Sequence, residues 1–174
     1  MNSKLNKNQI KRYSRQIVLK NIGASGQKKI IQSKVLIIGM GGLGCPVAEF
    51  LTRAGVGVLG IIDYDNVDLS NIHRQSLFDM DDLKKSKVDA AKKKLKKINP
   101  KTKIKTHKIR LSQKNFNNII NQYEYIVDAT DNFETKYLIN DFCKISNKFL
   151  VTGAISKFDG HIFTFDFKNK KTPC

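Results

Sequence analysis

The sequence predicts an α/β protein with a Rossmann-like, mainly parallel sheet and helices on both of its faces. Strand-like and helix-like segments alternate from about Lys34 onward, as they do in successive βαβ units. The strand-like segments are short β-branched runs typical of buried parallel strands, and a glycine-rich turn joins the first of them to a helix. We also expect an N-terminal helical extension and the start of an antiparallel extension at the C-terminus.

The spacing of apolar residues and of helix-stopping residues assigns the elements in order. Ile10, Tyr13 and Ile17 recur at helical spacing near the N-terminus. Gly55 ends the helix that follows the glycine-rich turn, and Asn99-Pro100 stops a later, lysine-rich helix. The predicted helices span 8–19, 26–33, 43–54, 84–98, 113–122 and 133–145, and the predicted strands span 34–39, 58–63, 103–109, 125–129, 149–152 and 160–167.

The last predicted strand differs from the others. Phe163, Phe165 and Phe167 alternate with other residues, as in a strand with two unequal faces, and we expect this strand to begin a hairpin-like return. The chain then stops at Cys174 without a closing helix. We therefore expect the natural domain to continue beyond this point.

The composition is that of one soluble globular domain. The chain has 174 residues, 40% of them hydrophobic, which is enough to bury most of its unfolded surface around one core. No apolar stretch approaches the roughly 20 residues of a membrane helix, and the first eight residues lack the apolar segment of a secretory signal. We expect a cytoplasmic protein whose three cysteines are thiols.

A basic block carries most of the net charge. Between Lys84 and Lys114, 14 Lys or Arg residues and one acid leave +13 of the total of +17. Val88, Ala91, Leu95 and Ile98 recur at helical spacing there, so most of these lysines are expected on a solvated helix face. A block of this density can also bind nucleic acid or an acidic partner. Charge alone therefore identifies no partner.

The glycine-rich turn, Gly39 to Gly44, is a candidate phosphate-binding loop. It follows a strand and opens a helix, and its glycines have the dinucleotide-binding spacing. Backbone amides at the helix start would face an anion, and Asp63 lies where a ribose-binding acid belongs. The sequence lacks a Walker P-loop. The ligand could be NAD, FAD or ATP, and a merely tight turn is the alternative.

Charged residues beyond the second strand favour ATP over NAD. Arg74 offers a planar fork of donors to phosphate oxygens, Lys87 adds a point charge, and Asn71 can donate to the same group. A hydride-transfer site has little use for such cations. Asp131, after the strand predicted over 125–129, is a candidate magnesium ligand, because Mg²⁺ favours carboxylate together with phosphate oxygens.

With these residues the chain resembles the ThiF/MoeB/HesA family, bacterial relatives of the ubiquitin-activating enzymes. Several ordered motifs carry the resemblance, which covers nearly the whole chain. The matching segments are 12–16, 39–44, 63–75, Lys87, 130–132, 151–154 and 173–174.

The resemblance implies ATP-dependent adenylation of the C-terminal glycine of a ubiquitin-like sulfur-carrier protein ending in Gly-Gly, with release of pyrophosphate, for thiamin or molybdopterin synthesis. It implies a helical extension over 1–33 and an adenylation domain over 34–174 that is incomplete at its C-terminus, best treated as one domain. An arginine matching Arg15 reaches the ATP of the other subunit in this family. A homodimer is therefore implied.

The resemblance also assigns roles to the candidate residues. The loop approaches the phosphates, Asp63 binds ribose, and Asp131 organises Mg²⁺. The candidate catalytic residues are Arg15, Arg74, Lys87 and Asp131. The candidate nucleotide-binding residues are Gly39, Gly41, Gly42, Gly44, Asp63, Asp65, Ser70, Asn71, Arg74, Lys87, Asp131 and Asn132.

The cysteines and two further polar residues are assigned structural roles and not catalytic ones. Cys174 matches one of four zinc-binding cysteines in these families, so zinc is expected only in a longer chain. Cys45 and Cys143 are expected to be inert packing residues, His73 a packing or hydrogen-bonding residue, and Asp128 a residue that orients its neighbours.

Three other functions stay open. A tRNA-modifying adenylation enzyme of the same family gains slight support from the basic block. An NAD-dependent oxidoreductase is disfavoured by Arg74, Lys87 and Asp131. An inactive ATP-binding fragment is the non-enzyme alternative.

Overall fold

The computed structural model describes residues 4–169, and it confirms the predicted fold class. Six helices and six strands alternate as expected, with two short 3-10 turns at Leu69–Asn71 and Met80–Asp82. The helices are α1 (Lys7–Ile17), α2 (Gly23–Gln32), α3 (Gly44–Ala54), α4 (Lys87–Ile98), α5 (Gln113–Ile120) and α6 (Phe133–Ile145). The strands are β1 (Lys34–Ile38), β2 (Val58–Ile62), β3 (Lys103–His107), β4 (Tyr125–Asp128), β5 (Phe149–Ser156) and β6 (Asp159–Asp166).

The strands form one sheet in the order β3-β2-β1-β4-β5-β6. The first five strands are parallel to one another, and β6 is antiparallel to β5, which confirms the predicted hairpin-like return. After β3 the chain crosses back over β1 to form β4 on its other side. This reversal opens a crevice beyond the carboxyl ends of β1 and β4, where open α/β sheets place their ligands.

Several element boundaries differ from the sequence prediction, and two of the differences have a clear structural cause. The helix predicted from Lys84 begins at Lys87, because Lys84 has a φ of 64° and Ser86 forms a β-bridge with Asn66. The strand predicted over 149–152 continues to Ser156, because it pairs with β6 along its whole length. In the first place a contact with the loop after β2 overrides the local apolar pattern, and in the second the pairing with the following strand, β6, extends β5.

Each face of the sheet has its own core. Ile37 and Leu59 belong to the cluster on the α3 and α4 side. Leu36 and Ile126 belong to the cluster on the α5 and α6 side. Neighbouring residues of β1 therefore point to opposite faces, both of which are covered by helices.

The lysine-rich helix α4 presents a solvated face, as predicted. Leu95 is fully buried in the core, whereas Lys92, Lys93 and Lys97 are exposed. Within the described part of the chain, no helix is long and apolar enough to cross a membrane.

The N-terminal extension packs on the core through Tyr13. This side chain is 4% exposed, and its hydroxyl accepts a hydrogen bond of 2.9 Å from Asn99 Nδ2. The ring lies against Gly55, which ends α3 with a φ of 92°. A side chain at Gly55 would be strained by this φ and would collide with the ring, so glycine serves both the helix end and the contact.

Candidate active site

A cavity of about 740 Å³ lies at the carboxyl ends of β1, β2, β4 and β5. It is the crevice that the strand order predicts. The structure brings to it every predicted nucleotide-binding residue except Gly44 and Ser70. The predicted residues that line it are Gly39, Gly41, Gly42, Asp63, Asp65, Asn71, Arg74, Lys87, Asp131 and Asn132.

The glycines of the loop have two different tasks. Gly39 has a φ of 93°, and a Cβ there would lie 2.7 Å from the carbonyl oxygen of Ala129. A Cβ at Gly44 would collide with the Gly39 carbonyl. Gly44 is buried behind the loop and shapes it without lining the cavity, so its contact with the nucleotide stays a prediction.

Gly41 and Gly42 leave the loop open on the cavity side. The nearest atom to a Cβ at Gly41 would be 4.0 Å away, and at Gly42 the nearest would be 3.7 Å away, on the aliphatic part of Arg74. A backbone without side chains thus borders the cavity just before α3 begins. This is the cradle that a phosphate group requires.

Asp63 fastens this loop to the end of β2. Its Oδ2 accepts a hydrogen bond of 2.7 Å from the Met40 amide, and its Oδ1 accepts one of 2.8 Å from the Asp65 amide. Asp63 is 9% exposed. An ionised carboxylate has about four acceptor sites, so Asp63 can also accept bonds from ribose hydroxyls.

Lys87 is held by Asp65 at the start of α4. Its Nζ lies 3.1 Å from Asp65 Oδ2, and its side chain is only 8% exposed. The Asp65 carbonyl also accepts a bond from the Lys87 amide. An ammonium group has three donors, so Lys87 keeps donors for a ligand. Asp65 is thus placed to influence a bound ligand indirectly, by holding Lys87 in position.

Arg74 is steadied by the 3-10 turn before it. Its Nη1 donates to the Ser70 carbonyl at 2.8 Å and lies 2.7 Å from His73 Nε2. Ser70 does not line the cavity, and its hydroxyl donates to Asp68. This hydrogen bond holds the pKa of Asp68 below its ordinary value. Because Asp68 draws the Ser70 hydroxyl into the turn, a nucleotide contact by Ser70 stays a prediction that the geometry does not support.

The segment after β4 combines a buried acid with an exposed one. Asp128 is 1% exposed and accepts bonds from Thr130 and Thr152, so it orients its neighbours as expected. Asn132 caps α6 by accepting a bond of 2.9 Å from the Thr135 amide. Asp131, between them, is exposed on the cavity wall.

A single carboxylate at Asp131 fits magnesium better than a metal bound by protein ligands alone. Residues 4–169 contain no cluster of three His, Cys, Asp or Glu side chains that could hold an ion. Mg²⁺ is commonly bound through one or two carboxylates together with substrate phosphates. Asp131 supplies one such group beside the phosphate cradle.

Two residues discussed in the sequence analysis lie outside the cavity, and a third falls outside the described part of the chain. Arg15 is exposed on α1 and does not line its own chain's cavity, so its role stays a prediction. Cys174 lies outside the described residues. Cys45 is buried beneath the loop, and burial raises the pKa of its thiol to about 12, which makes it inert as expected.

Among the cavity residues that the sequence did not predict, three carry a charge or a buried amide: Gln75, Arg110 and Lys136. Gln75 is 3% exposed and its Oε1 lacks a hydrogen-bond partner within the described chain. The Arg110 guanidinium lies 5.7 Å from the centre of the Tyr64 ring. Lys136 forms an ion pair with Asp128. The basic block contained Arg110, but no local pattern marked Gln75 or Lys136.

The chain is similar in sequence to known proteins. Residues 13–174 match the ThiF family. The chain is 44% identical over 172 residues to the adenylyltransferase and sulfurtransferase MOCS3 of Culex quinquefasciatus, a match that covers 99% of this chain and 39% of that protein. It is 40% identical over 159 residues to the sulfur carrier protein adenylyltransferase of Thermus thermophilus, covering 91% of this chain and 59% of that protein.

The fold has a solved counterpart as well. The crystal structure of PaaA superposes with a TM-score of 0.86 at 27% identity, covering 98% of this chain and 55% of PaaA. The chain thus spans about two fifths of the matched MOCS3 protein and little more than half of the other two.

Proposed function

Because the chain belongs to the ThiF family, we propose that it is an ATP-dependent adenylyltransferase acting on a ubiquitin-like sulfur-carrier protein. The carrier's C-terminal glycine carboxylate is joined to AMP, and pyrophosphate is released. Relatives named as adenylyltransferases support the activity, and the Thermus thermophilus relative is named for a sulfur carrier protein. The observation that carries the proposal is the meeting of the open glycine loop with Arg74 and Lys87 in one cavity.

The chemistry explains the need for these cations. A carboxylate oxygen attacks the α-phosphorus of ATP and forms a new P–O bond, while the bond to the bridging oxygen breaks and pyrophosphate leaves with its electron pair. The nucleophile is already an anion, so no proton has to be removed. The main obstacle is repulsion between two anions, and fixed positive groups are the usual remedy in such transfers.

Each residue then has a part in holding the reactants. Gly41 and Gly42 leave room for phosphates beside the backbone, and Asp63 accepts bonds from the ribose. Arg74 and Lys87 bind the triphosphate. Both cations are held in place before a ligand arrives, so little reorganisation is required during the reaction.

Magnesium would be held by Asp131 together with the phosphates, with Asn132 beside it. When bound, the ion supplies charge neutralisation at phosphate oxygens. The contribution of the protein is the position of Asp131, which depends on the turn between β4 and α6.

A homodimer completes the proposal. Arg15 is exposed on α1 and lies outside the cavity of its own chain. This placement supports a role at the ATP of a partner subunit, where its guanidinium would add a third cation.

Adenylation of a modified tRNA base is a second candidate function. The exposed Lys92, Lys93 and Lys97 of α4 favour it, since such a surface attracts a polyanion. Nucleic acid that stimulates ATP consumption where carrier proteins do not would support this candidate over the first.

Exchange of labelled pyrophosphate into ATP tests the proposed function. We expect exchange with carriers of the thiamin or molybdopterin type that end in Gly-Gly, and none when the last glycine is deleted. Asp131→Ala should reduce exchange by about 100-fold, as loss of one charge-stabilising group does, whereas the exposed Asp159→Ala on the hairpin should not. Pyrophosphate exchange at the same rate with and without a carrier protein, or binding of NADH in place of ATP, would contradict the proposal.

A further inference from the structure

A buried ion pair lies behind the turn that carries Asp131. Lys136 Nζ is 3.0 Å from Asp128 Oδ2, and the two side chains are 17% and 1% exposed. Lys136 is in the second turn of α6 and Asp128 is the last residue of β4. The pair therefore connects the two ends of the segment 129–135.

Asp128 uses both of its oxygens to shape this segment. Its Oδ1 accepts bonds from the Thr130 amide at 3.0 Å and from the Thr130 hydroxyl at 2.7 Å. Its Oδ2 accepts a bond of 2.6 Å from the Thr152 hydroxyl on β5, beside the bond from Lys136. Thr130 is thus bound twice, and Asp131 follows directly on the cavity wall.

Lys136 also binds the neighbouring strand. Its Nζ donates to the Gly153 carbonyl at 2.8 Å, immediately beyond the last residue pair of β4 and β5, Asp128 and Thr152. The next residue, Ala154, lines the cavity. One ammonium group therefore holds two walls of the cavity, the turn after β4 and the far half of β5.

From this geometry we propose that Lys136 is a positioning residue. It neutralises Asp128 and ties the end of β4 to β5, and in this way it holds the Thr130–Asn132 turn, with Asp131, at the phosphate cradle. A carboxylate as buried as Asp128 strongly destabilises its surroundings when its cation is removed, so the turn would rearrange. The structural part of this inference is independent of the proposed function, and only the activity readout rests on it.

Amide hydrogen exchange of the full chain tests the structural part without any substrate. Lys136→Met keeps the length of the side chain and removes its charge, Lys136→Arg keeps the charge, and Lys144→Met alters an exposed lysine on the same helix. We expect the Thr130 amide to exchange at least about 10-fold faster in Lys136→Met, because local opening becomes easier. Lys136→Arg and Lys144→Met should stay close to the unchanged protein.

Pyrophosphate exchange separates positioning from direct contact with ATP. If Lys136 positions the turn, Lys136→Met lowers kcat by about 10-fold to 100-fold, changes the KM for ATP little, and is rescued by Lys136→Arg. A rise in KM for ATP with an unchanged kcat and an unaltered Thr130 amide would assign Lys136 to nucleotide binding and overturn the proposal.

A second variant covers the case in which Lys136→Met does not fold. Asp128→Asn combined with Lys136→Met removes both buried charges, and circular dichroism verifies its fold. The Thr130 amide should exchange faster than in Asp128→Asn alone, because the tie of Lys136 to Gly153 is also gone. Unchanged exchange in whichever variant folds refutes the inference. If the unchanged protein shows no pyrophosphate exchange at all, the proposed function fails, while the hydrogen-exchange result still decides the role of Lys136.

Discussion

Polar side chains of the cavity are oriented by bonds to the protein before any ligand binds. Asp63 is held by two backbone amides, Lys87 by Asp65, and Arg74 by the Ser70 carbonyl. A polar group fixed in this way loses little conformational freedom when its ligand arrives. Ordered charges of this kind are what electrostatic stabilisation of a phosphoryl-type transfer requires.

The two described cysteines should be unreactive in the folded protein. Burial raises the pKa of both Cys45 and Cys143 to about 12. A thiol with such a pKa is ionised in only about one molecule in 10⁴ at pH 8, and the thiolate is the reactive form. We expect iodoacetamide to leave both unmodified in native protein and to modify both after unfolding in urea, as peptide mass spectrometry would show. Rapid native labelling of Cys45 would contradict this prediction.

His107 should make stability depend on pH. Burial and the nearby Lys105 hold its pKa below the ordinary 6.5, while its Nε2 lies 3.3 Å from the Tyr123 hydroxyl. The unfolded chain therefore binds a proton more readily than the folded one, and stability falls as the pH drops below about 6.5. His107→Gln should show a smaller decrease in the urea midpoint between about pH 7.5 and 5.5. An equal decrease in both proteins would exclude this role.

At the scale of elements, different glycines of the loop between β1 and α3 serve folding and ligand binding. Gly44 is required because the Gly39 carbonyl occupies the space of a side chain, whereas a Cβ at Gly42 would make only an ordinary contact with Arg74. The spacing of these glycines thus serves two physical needs within six residues, which are tight packing of the helix on the strand and access of the backbone to phosphate.

Two alanine substitutions distinguish these needs. Gly44→Ala should destabilise the protein by about 2 kcal/mol or more, because the clash is with backbone that cannot move aside. Gly42→Ala should unfold at nearly the same temperature as the unchanged protein but bind ATP at least about 10-fold more weakly, since a methyl group enters the cradle. Thermal unfolding and calorimetric titration with ATP give both readouts. Unchanged ATP affinity in Gly42→Ala would show that the phosphates of ATP do not bind at this loop.

The limits of prediction are clearest in the elements around the cavity. Local spacing identified the loop and placed Asp63 at a strand end, because both depend on residues close together in sequence. It did not foresee that Ser70 turns away from the cavity, since the hydroxyl is drawn to Asp68. Nor did it find Lys136, whose partner on β4 becomes a neighbour only when α6 packs on the sheet.

At the scale of the whole molecule, the proposed homodimer predicts complementation between two defective proteins. Arg15→Ala would lack the cation given to the partner, and Asp131→Ala would lack the magnesium ligand of its own cavity. In a mixed dimer, one of the two cavities would have an intact Arg15 and an intact Asp131. We expect each variant alone to show little pyrophosphate exchange and the mixture to regain up to about a quarter of the unchanged activity, the share of intact sites under random pairing.

The mixture must be compared with a control mixture that also contains Arg15→Ala but can form no intact cavity. Arg15→Ala mixed with the double variant Arg15→Ala/Asp131→Ala should stay inactive, because no cavity in that mixture has both residues. Sedimentation of the unchanged protein at the same concentration should show a dimer. A monomer with full exchange activity would refute the shared site.

The sequence by itself determined the fold class, the position of the phosphate loop and the charge of the candidate site. Those properties depend on hydrophobic periodicity and on short motifs, which act over a few residues. Only the tertiary structure decided which candidates face the cavity, that Gln75 and Lys136 join them, and that β5 extends to Ser156. The physical reason is that these features arise from contacts between separate elements of the fold, which form when the strand ends and α6 pack together and when β6 pairs with β5.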